Sequence, residues 1–166
     1  MRDAWRQFHG SAPNMGWKLR STNGATRPAW RLDIGDVAAS PVVDPDGVIY
    51  IGSAEGHLIA VNPDGTERWR RTYGNPIIAS PAVAEDGCIY FIINLRTGSR
   101  PDGDHVEGDF LYRSILMKAN PEGGFLWSFE LPDDGFTNSA PKFWNGPAGE
   151  HVFVYFARGH LGRSGG

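Results

Sequence analysis

The chain has 166 residues and a formal net charge of −3, which suits a single domain with a buried core. The slightly acidic balance excludes a protein that binds nucleic acid by bulk basicity, and no apolar run is long enough for a membrane-spanning helix. The single cysteine, Cys88, excludes an internal disulfide framework and a zinc site of clustered cysteines.

Residues 1–28 are interpreted as an N-terminal lead-in. Its first residues, MRDAWRQFHGSAPNMGW, carry charges and turn formers where a signal peptide carries an apolar stretch. Either the protein is cytoplasmic, or the sequence does not begin where the natural precursor begins. Residues 29–34 predict a leading outer strand, because Trp30 lies 39 residues before Trp69 in a repeating pattern.

An internal repeat dominates the remainder of the chain. Three positions recur 40 residues later: Pro41 as Pro81, Gly47 as Gly87, and Tyr50 as Tyr90. Further along, Trp69 recurs as Trp127 at a separation of 58, so 18 residues are inserted in the second copy. A third copy begins at Pro141 and stops after two predicted strands. The copies span residues 38–71, 78–130 (with an insertion at 95–109) and 138–158.

Each complete copy predicts four short strands separated by turn signals. The Asp-Gly pair that ends at Gly47 closes the first hairpin, and Asn62-Pro63-Asp64-Gly65 marks the turn before the fourth strand. No segment has a helical period. A four-stranded unit that repeats about every 40 residues is typical of a propeller blade, so we predict an all-β partial β-propeller of antiparallel blades. A sandwich or a barrel is the alternative.

The segment ASPVVDPDGVIYIGSAEGHLIAVNPDGTERW resembles a repeat of the PQQ-like (quinoprotein-like) β-propeller family. The resemblance implies that the first strand of each blade lines a central channel and that Trp30, Trp69 and Trp127 pack between blades. It also favours an extracytoplasmic location. Ala60 and Ala119, just before the Asn-Pro pairs, are interpreted as small residues that tight packing between sheets requires. Such propellers usually have seven or eight blades, so we expect the rest of a longer propeller, or other protein chains, as partners.

The insertion supplies the candidate contact residues for a ligand or partner, because long loops on rigid scaffolds often carry function. These residues are Arg96, Arg100, Asp102, Asp104, His105 and Glu107. With Asp109, its acidic residues could offer oxygen ligands to a hard cation such as calcium, but Val106 and Glu107 break the EF-hand pattern. A solvated loop is the simpler interpretation, and we leave any metal open.

Other reactive residues give weaker signals. The histidines, which show no metal-ligand spacing, are His9, His57, His105, His151 and His160. Gly162–Gly166 lacks the Lys-Ser/Thr pair of a phosphate loop, and no catalytic triad can be assigned. The quinone enzymes of the family carry adjacent cysteines, a calcium-binding acidic set and a Trp platform. Cys88 stands alone and is interpreted as a small buried residue.

Two functions remain open at this point. The first is a non-catalytic propeller scaffold that binds a protein or ligand, with no cofactor of its own. The second is a fragment of a quinoprotein-type dehydrogenase, or of another propeller enzyme, whose active residues lie in missing blades. Fold alone does not decide between them.

Overall fold

A computed structural model of the protein describes residues 28–99, 110–132 and 135–156. These residues form an all-β fold without helices. The strands are β1 Val42–Val43, β2 Ile49–Gly52, β3 His57–Val61, β4 Glu67–Thr72, β5 Ala82–Val83, β6 Ile89–Ser99, β7 Phe110–Ala119, β8 Phe125–Glu130, β9 Lys142–Gly146 and β10 Gly149–Phe153.

The strands form two complete blades and a two-stranded third unit within the described ranges. The first blade has the strand order β1-β2-β3-β4, and the second has the order β5-β6-β7-β8. In the third unit β9 pairs with β10. All pairs are antiparallel, which confirms the predicted all-β, four-stranded blade architecture.

Equivalent hydrogen bonds close equivalent turns in the two blades. The amide of Gly47 donates to the carbonyl of Asp44 at 3.1 Å, and the amide of Gly87 donates to Ala84, 40 residues later, at 3.1 Å. Gly47 and Gly87 have φ values of 86° and 80°, a left-handed conformation that side chains disfavour. The repeat in the sequence is therefore a repeat of backbone geometry.

The core consists of three layers between successive units. Twelve buried residues, including Tyr50, Leu58 and Phe91, fill the space between the first and second blades. On the other face of the second blade, six residues around Tyr90 pack against Phe143, Val152 and Val154 of the third unit. On the other face of the first blade, a third cluster contacts the leading segment.

The leading segment is not a strand, contrary to the expectation for residues 29–34. Those residues have no assigned strand, because none of the described residues provides a strand partner for their backbone. The segment nevertheless packs as expected of an outer element. Leu32, Ile34 and Val37 contact the cluster of Ile51, Ile59 and Val61.

The insertion begins as strand rather than loop. β6 and β7 pair from Ile89 with Ala119 out to Ser99 with Phe110, with an irregularity between Arg96 and Gly98. This hairpin extends beyond the rest of the sheet, so its residues 95–98 are exposed or half-buried. With no buried face, the segment has no apolar alternation, and the sequence pattern therefore missed these strand residues.

Ala60 and Ala119 are both fully buried and belong to the apolar layer between the first and second blades. They hold different positions in their blades. Tyr50 pairs with Ala60, whereas Tyr90 pairs with Lys118, so Lys118 is the counterpart of Ala60 and Ala119 is the counterpart of Val61.

Candidate functional site

Trp30 of the leading segment and Trp69 of the first blade each contact the next blade in the same way. The indole N–H of Trp30 donates to the carbonyl of Pro63 at 3.1 Å. The indole N–H of Trp69 donates to the carbonyl of Pro121 at 3.0 Å. Pro63 and Pro121 occupy equivalent turns between the third and fourth strands of their blades. The tryptophan of one unit therefore docks on the Asn-Pro turn of the next.

A glycine in each of these turns makes room for the indole ring. A Cβ atom added to Gly65 would lie 2.5 Å from the ring of Trp30, and one added to Gly123 would lie 2.9 Å from the ring of Trp69. Both glycines also have positive φ values, 89° and 77°. The docking geometry therefore requires glycine on steric as well as conformational grounds.

Trp127 is the third tryptophan of this series, and no turn of the described residues covers it. It packs edge-on against Tyr90, with ring centroids 5.8 Å apart, whereas Trp69 contacts Tyr50 in a tilted arrangement at 5.9 Å. Trp127 is 40% exposed. Among the described residues, the third unit has no strand beyond β10, and therefore no turn equivalent to the one at Pro63.

The outer strand β8 exposes apolar side chains along its length. Phe125, Leu126 and Phe129 are 57%, 48% and 55% exposed. The equivalent outer strand of the first blade, β4, has the sequence ERWRRT, in which charged residues surround the tryptophan. We call Phe125, Leu126, Trp127 and Phe129 the β8 surface. An outer strand of this composition is typical of an interaction site rather than of a solvated edge.

The third unit also has an uncovered face. Phe143 and Val152 pack toward the second blade, so strand alternation places Trp144 and Phe153 on the opposite side. Trp144 is 51% exposed and stacks on His151, and Phe153 is 55% exposed. We call this side the far face of the third unit.

Lys118 adds a positive charge beside the β8 surface. Its ammonium lies 5.1 Å from the centre of the Tyr90 ring and 3.3 Å from Oδ2 of Asp86. Its interaction with Tyr90, followed by that with Asp86, raises the pKa of Lys118 even though burial opposes the shift. Burial raises the pKa of Asp86, but the backbone N–H of Cys88 and the Lys118 ammonium outweigh it and lower that pKa.

A polar cleft lies where three chain segments enter the first strands of their units. Its volume is about 260 Å³. The amide of Ser40 donates to Oγ of Ser80 at 3.0 Å across the entrance of two blades. The cleft is lined by Ala38, Ser40, Ile78, Ser80, Asn138, Ser139, Ala140 and Lys142. This position, at the inner ends of the blades, is the one where the family resemblance implies channel-lining residues.

A buried polar network fixes the entry to the third unit. Asn94, Ser114 and Thr137 are nearly inaccessible. The hydroxyl of Ser114 donates to Oδ1 of Asn94, and the amide of Thr137 donates to the same hydroxyl oxygen at 2.9 Å. Every buried polar side-chain atom in this network has a partner, so it orients the segment before Pro141. No periodic signal indicated this network beforehand, because a serine or an asparagine in a strand has no pattern of its own.

Few of the candidate contact residues can be placed. Arg96 lies on β6, opposite Tyr112. The others, Arg100, Asp102, Asp104, His105 and Glu107, lie outside the described residues, as do His9 and His160. Their role as contact residues therefore stays a prediction. Among the described residues no group of three potential metal ligands is found, and no helix is long and apolar enough to cross a bilayer.

The contacts of His57 and Cys88 are with side chains of their own blades. His57 lies 3.0 Å from the Thr72 hydroxyl through Nδ1 and 3.6 Å from Glu55 through Nε2. Cys88 is buried, and its burial, followed by its interaction with Asp86, raises the pKa of the thiol. A raised pKa lowers the thiolate fraction, so Cys88 is not an activated nucleophile.

Residues 5–106, more than half of the chain, match the family model described as outer membrane protein assembly factor BamB. The chain belongs to this family of PQQ-like repeat proteins. A search of the curated proteins found no match. The BamB-family match confirms the resemblance drawn from the repeats.

The β8 surface of this BamB-family chain is absent from the contact residues predicted from the sequence. A signal was present, because FLWSFE on β8 contrasts with ERWRRT on the equivalent strand β4. Comparing the outer strands of successive repeats, residue by residue, would have identified it.

Proposed function

We propose that this chain is a non-catalytic β-propeller scaffold that binds another protein through the β8 surface. The observation that carries the proposal is the exposure of four large apolar side chains on one outer strand: Phe125, Leu126, Trp127 and Phe129. Burying a side chain of this size is worth about 1.5–3 kcal/mol. Such a strand is therefore costly to leave in water and favourable to cover with a partner.

The family description supports a protein as the ligand. It names a factor in the assembly of outer membrane proteins, which is a role among proteins rather than small molecules. The β8 surface also offers aromatic side chains beside the Lys118 ammonium, and aromatic and basic residues are common at the centres of protein interfaces.

Site-specific photo-crosslinking tests the proposal. A photoreactive amino acid at Leu126, on the β8 surface, should give one defined adduct with a partner in an extract of the source cells. The matched control is the same amino acid at Arg68, the equivalent position on β4. Competition by excess unlabelled chain should suppress the Leu126 adduct. Equal adduct patterns from the two positions, or none from Leu126, would contradict protein binding through β8.

A further inference from the structure

The cleft at the entry to the first strands is small and polar. Its volume of about 260 Å³ lies just below the range of about 300–1,000 Å³ that is typical of pockets for drug-sized ligands. Three equivalent segments form it, and each leads into the first strand of its unit. Of the described residues that line the cleft, Lys142 alone is charged. The cleft therefore suits a small ligand that bears a negative charge.

Lys142 is an exception in the repeat. The first strands β1, β5 and β9 begin at Val42, Ala82 and Lys142, respectively. Val42 and Ala82 are fully buried. Because an apolar residue at this position suits the packing of two units, the fold does not require a lysine in the third. Burial lowers the pKa of the Lys142 ammonium, and an anion bound in the cleft would oppose that shift.

A chain of hydrogen bonds leads from the buried network to Asn138 at the cleft. The hydroxyl of Ser114 accepts from the amide of Thr137 and donates to Oδ1 of Asn94. Nδ2 of Asn94 then donates to Oδ1 of Asn138 at 3.1 Å. Because the side-chain oxygen of Asn138 is bound, its NH₂ group is the part left to donate to a ligand.

Three serines add hydroxyl groups, one from each segment. The amide of Ser40 donates to Oγ of Ser80 at 3.0 Å, so the Ser80 hydroxyl keeps its own hydrogen for another acceptor. The amide of Ser139 donates to Oγ1 of Thr137 at 2.8 Å, which holds the backbone beside the Ser139 hydroxyl. Hydroxyl groups both donate and accept, so they can bind a carboxylate or the hydroxyl groups of a ligand.

We propose that this cleft binds a small hydroxycarboxylate, a molecule with one carboxylate and neighbouring hydroxyl groups. The Lys142 ammonium pairs with the carboxylate, and the Asn138 amide and the serine hydroxyls bind the hydroxyl groups of the ligand. The site is separate from the β8 surface and goes beyond the proposed binding of a protein.

A phosphate matches the cleft less well than a hydroxycarboxylate. Phosphate sites commonly use arginine side chains or the backbone N–H groups at the start of a helix. The described residues form no helix, and no arginine is among those that line the cleft. A single ammonium surrounded by neutral donors and acceptors corresponds to one negative charge and several hydroxyl groups.

Titration with three matched ligands tests the proposal, followed by the amide chemical shifts of the isotope-labelled whole chain. Glycerate has the carboxylate and the hydroxyl groups, glycerol has the hydroxyl groups alone, and propionate has the carboxylate alone. Glycerate should shift the amides of Ser40, Ser80 and Ser139 saturably. It should bind at least about 10-fold more tightly than glycerol, and about 2- to 10-fold more tightly than propionate.

Three variants of the chain assign the contacts. Lys142→Met should weaken glycerate binding at least about 10-fold, and the apolar residues at the equivalent positions favour its folding. Arg31→Met is the matched control, because it removes the same charge from an exposed residue outside the cleft and should leave the affinity unchanged. Ser139→Ala should weaken the binding of glycerate about 2- to 10-fold and leave that of propionate unchanged.

Several results would overturn the proposal. These are equal affinities for glycerate and glycerol, an unchanged affinity for glycerate in Lys142→Met, and shifts confined to amides outside the cleft. Tighter binding of inorganic phosphate than of glycerate would overturn it as well, because the site would then recognise phosphate. The comparison of the ligands uses the parent chain, so it decides the proposal even if Lys142→Met does not fold.

Discussion

Replacing Gly123 by alanine tests the docking of Trp69 quantitatively. Its φ of 77° is left-handed, which costs an alanine about 1–2 kcal/mol. The new Cβ would also lie 2.9 Å from the Trp69 ring and 2.8 Å from Cγ of Arg71. Displacing the ring loses the hydrogen bond to Pro121, worth about 0.5–1.5 kcal/mol, and some packing. The free energy of unfolding should therefore fall by about 2–4 kcal/mol.

Gly74→Ala is the matched control. Gly74 has nearly the same φ, 76°, but nothing lies within 4 Å of its added Cβ. It should lose only the conformational part, about 1–2 kcal/mol. Urea denaturation followed by far-ultraviolet circular dichroism measures both variants. Equal losses of free energy in Gly74→Ala and Gly123→Ala would refute the steric argument for glycine in the docking turn.

Three further outcomes are expected. Burial, followed by the charge of Asp44, raises the pKa of the Tyr50 phenol. The protonated phenol therefore contributes fully to the free energy of unfolding below about pH 10, and this contribution is lost as the pH rises further. Urea denaturation at about pH 9 and about pH 11, on either side of the unfolded-state pKa, should show a smaller loss of stability in Tyr50→Phe than in the parent chain. Replacing residues 100–109 by Asn-Gly should leave the melting temperature within about 2 °C by circular dichroism, because the described pairing of β6 with β7, from Ile89 out to Ser99 and Phe110, is kept. A large fall would show that the insertion is structural. Calorimetric titration with the quinone cofactor should show no stoichiometric binding, and a saturable heat with one site per chain would favour the enzyme.

The blade architecture was predictable from sequence because its signals are local. The positive φ at Gly47 and Gly87 and the strands that follow them depend on residues within a few positions of each turn. On these strands Val42, Ile51, Val83, Ile89 and Phe91 are buried, and Ile49 is partly buried. A short apolar run bounded by turn signals is typical of a strand that is buried on both faces.

The exposure of the β8 surface and the extension of the β6–β7 hairpin depend on which elements lie beside each strand. The local sequence does not specify those neighbours. Phe125 and Phe129 look like core residues in a pattern, but β8 is the outer strand of its sheet. Leu95 and Arg96 look like loop residues, yet each has a partner across the hairpin.

The three apolar layers differ in size, with twelve buried residues between the blades, six beside the third unit and three beside the leading segment. In an array of repeats, each unit is held only by its nearest neighbours, so local opening starts where the coupling is weakest. The two smaller layers should therefore open before the middle layer. Amide hydrogens of β3 and β6 would then exchange last.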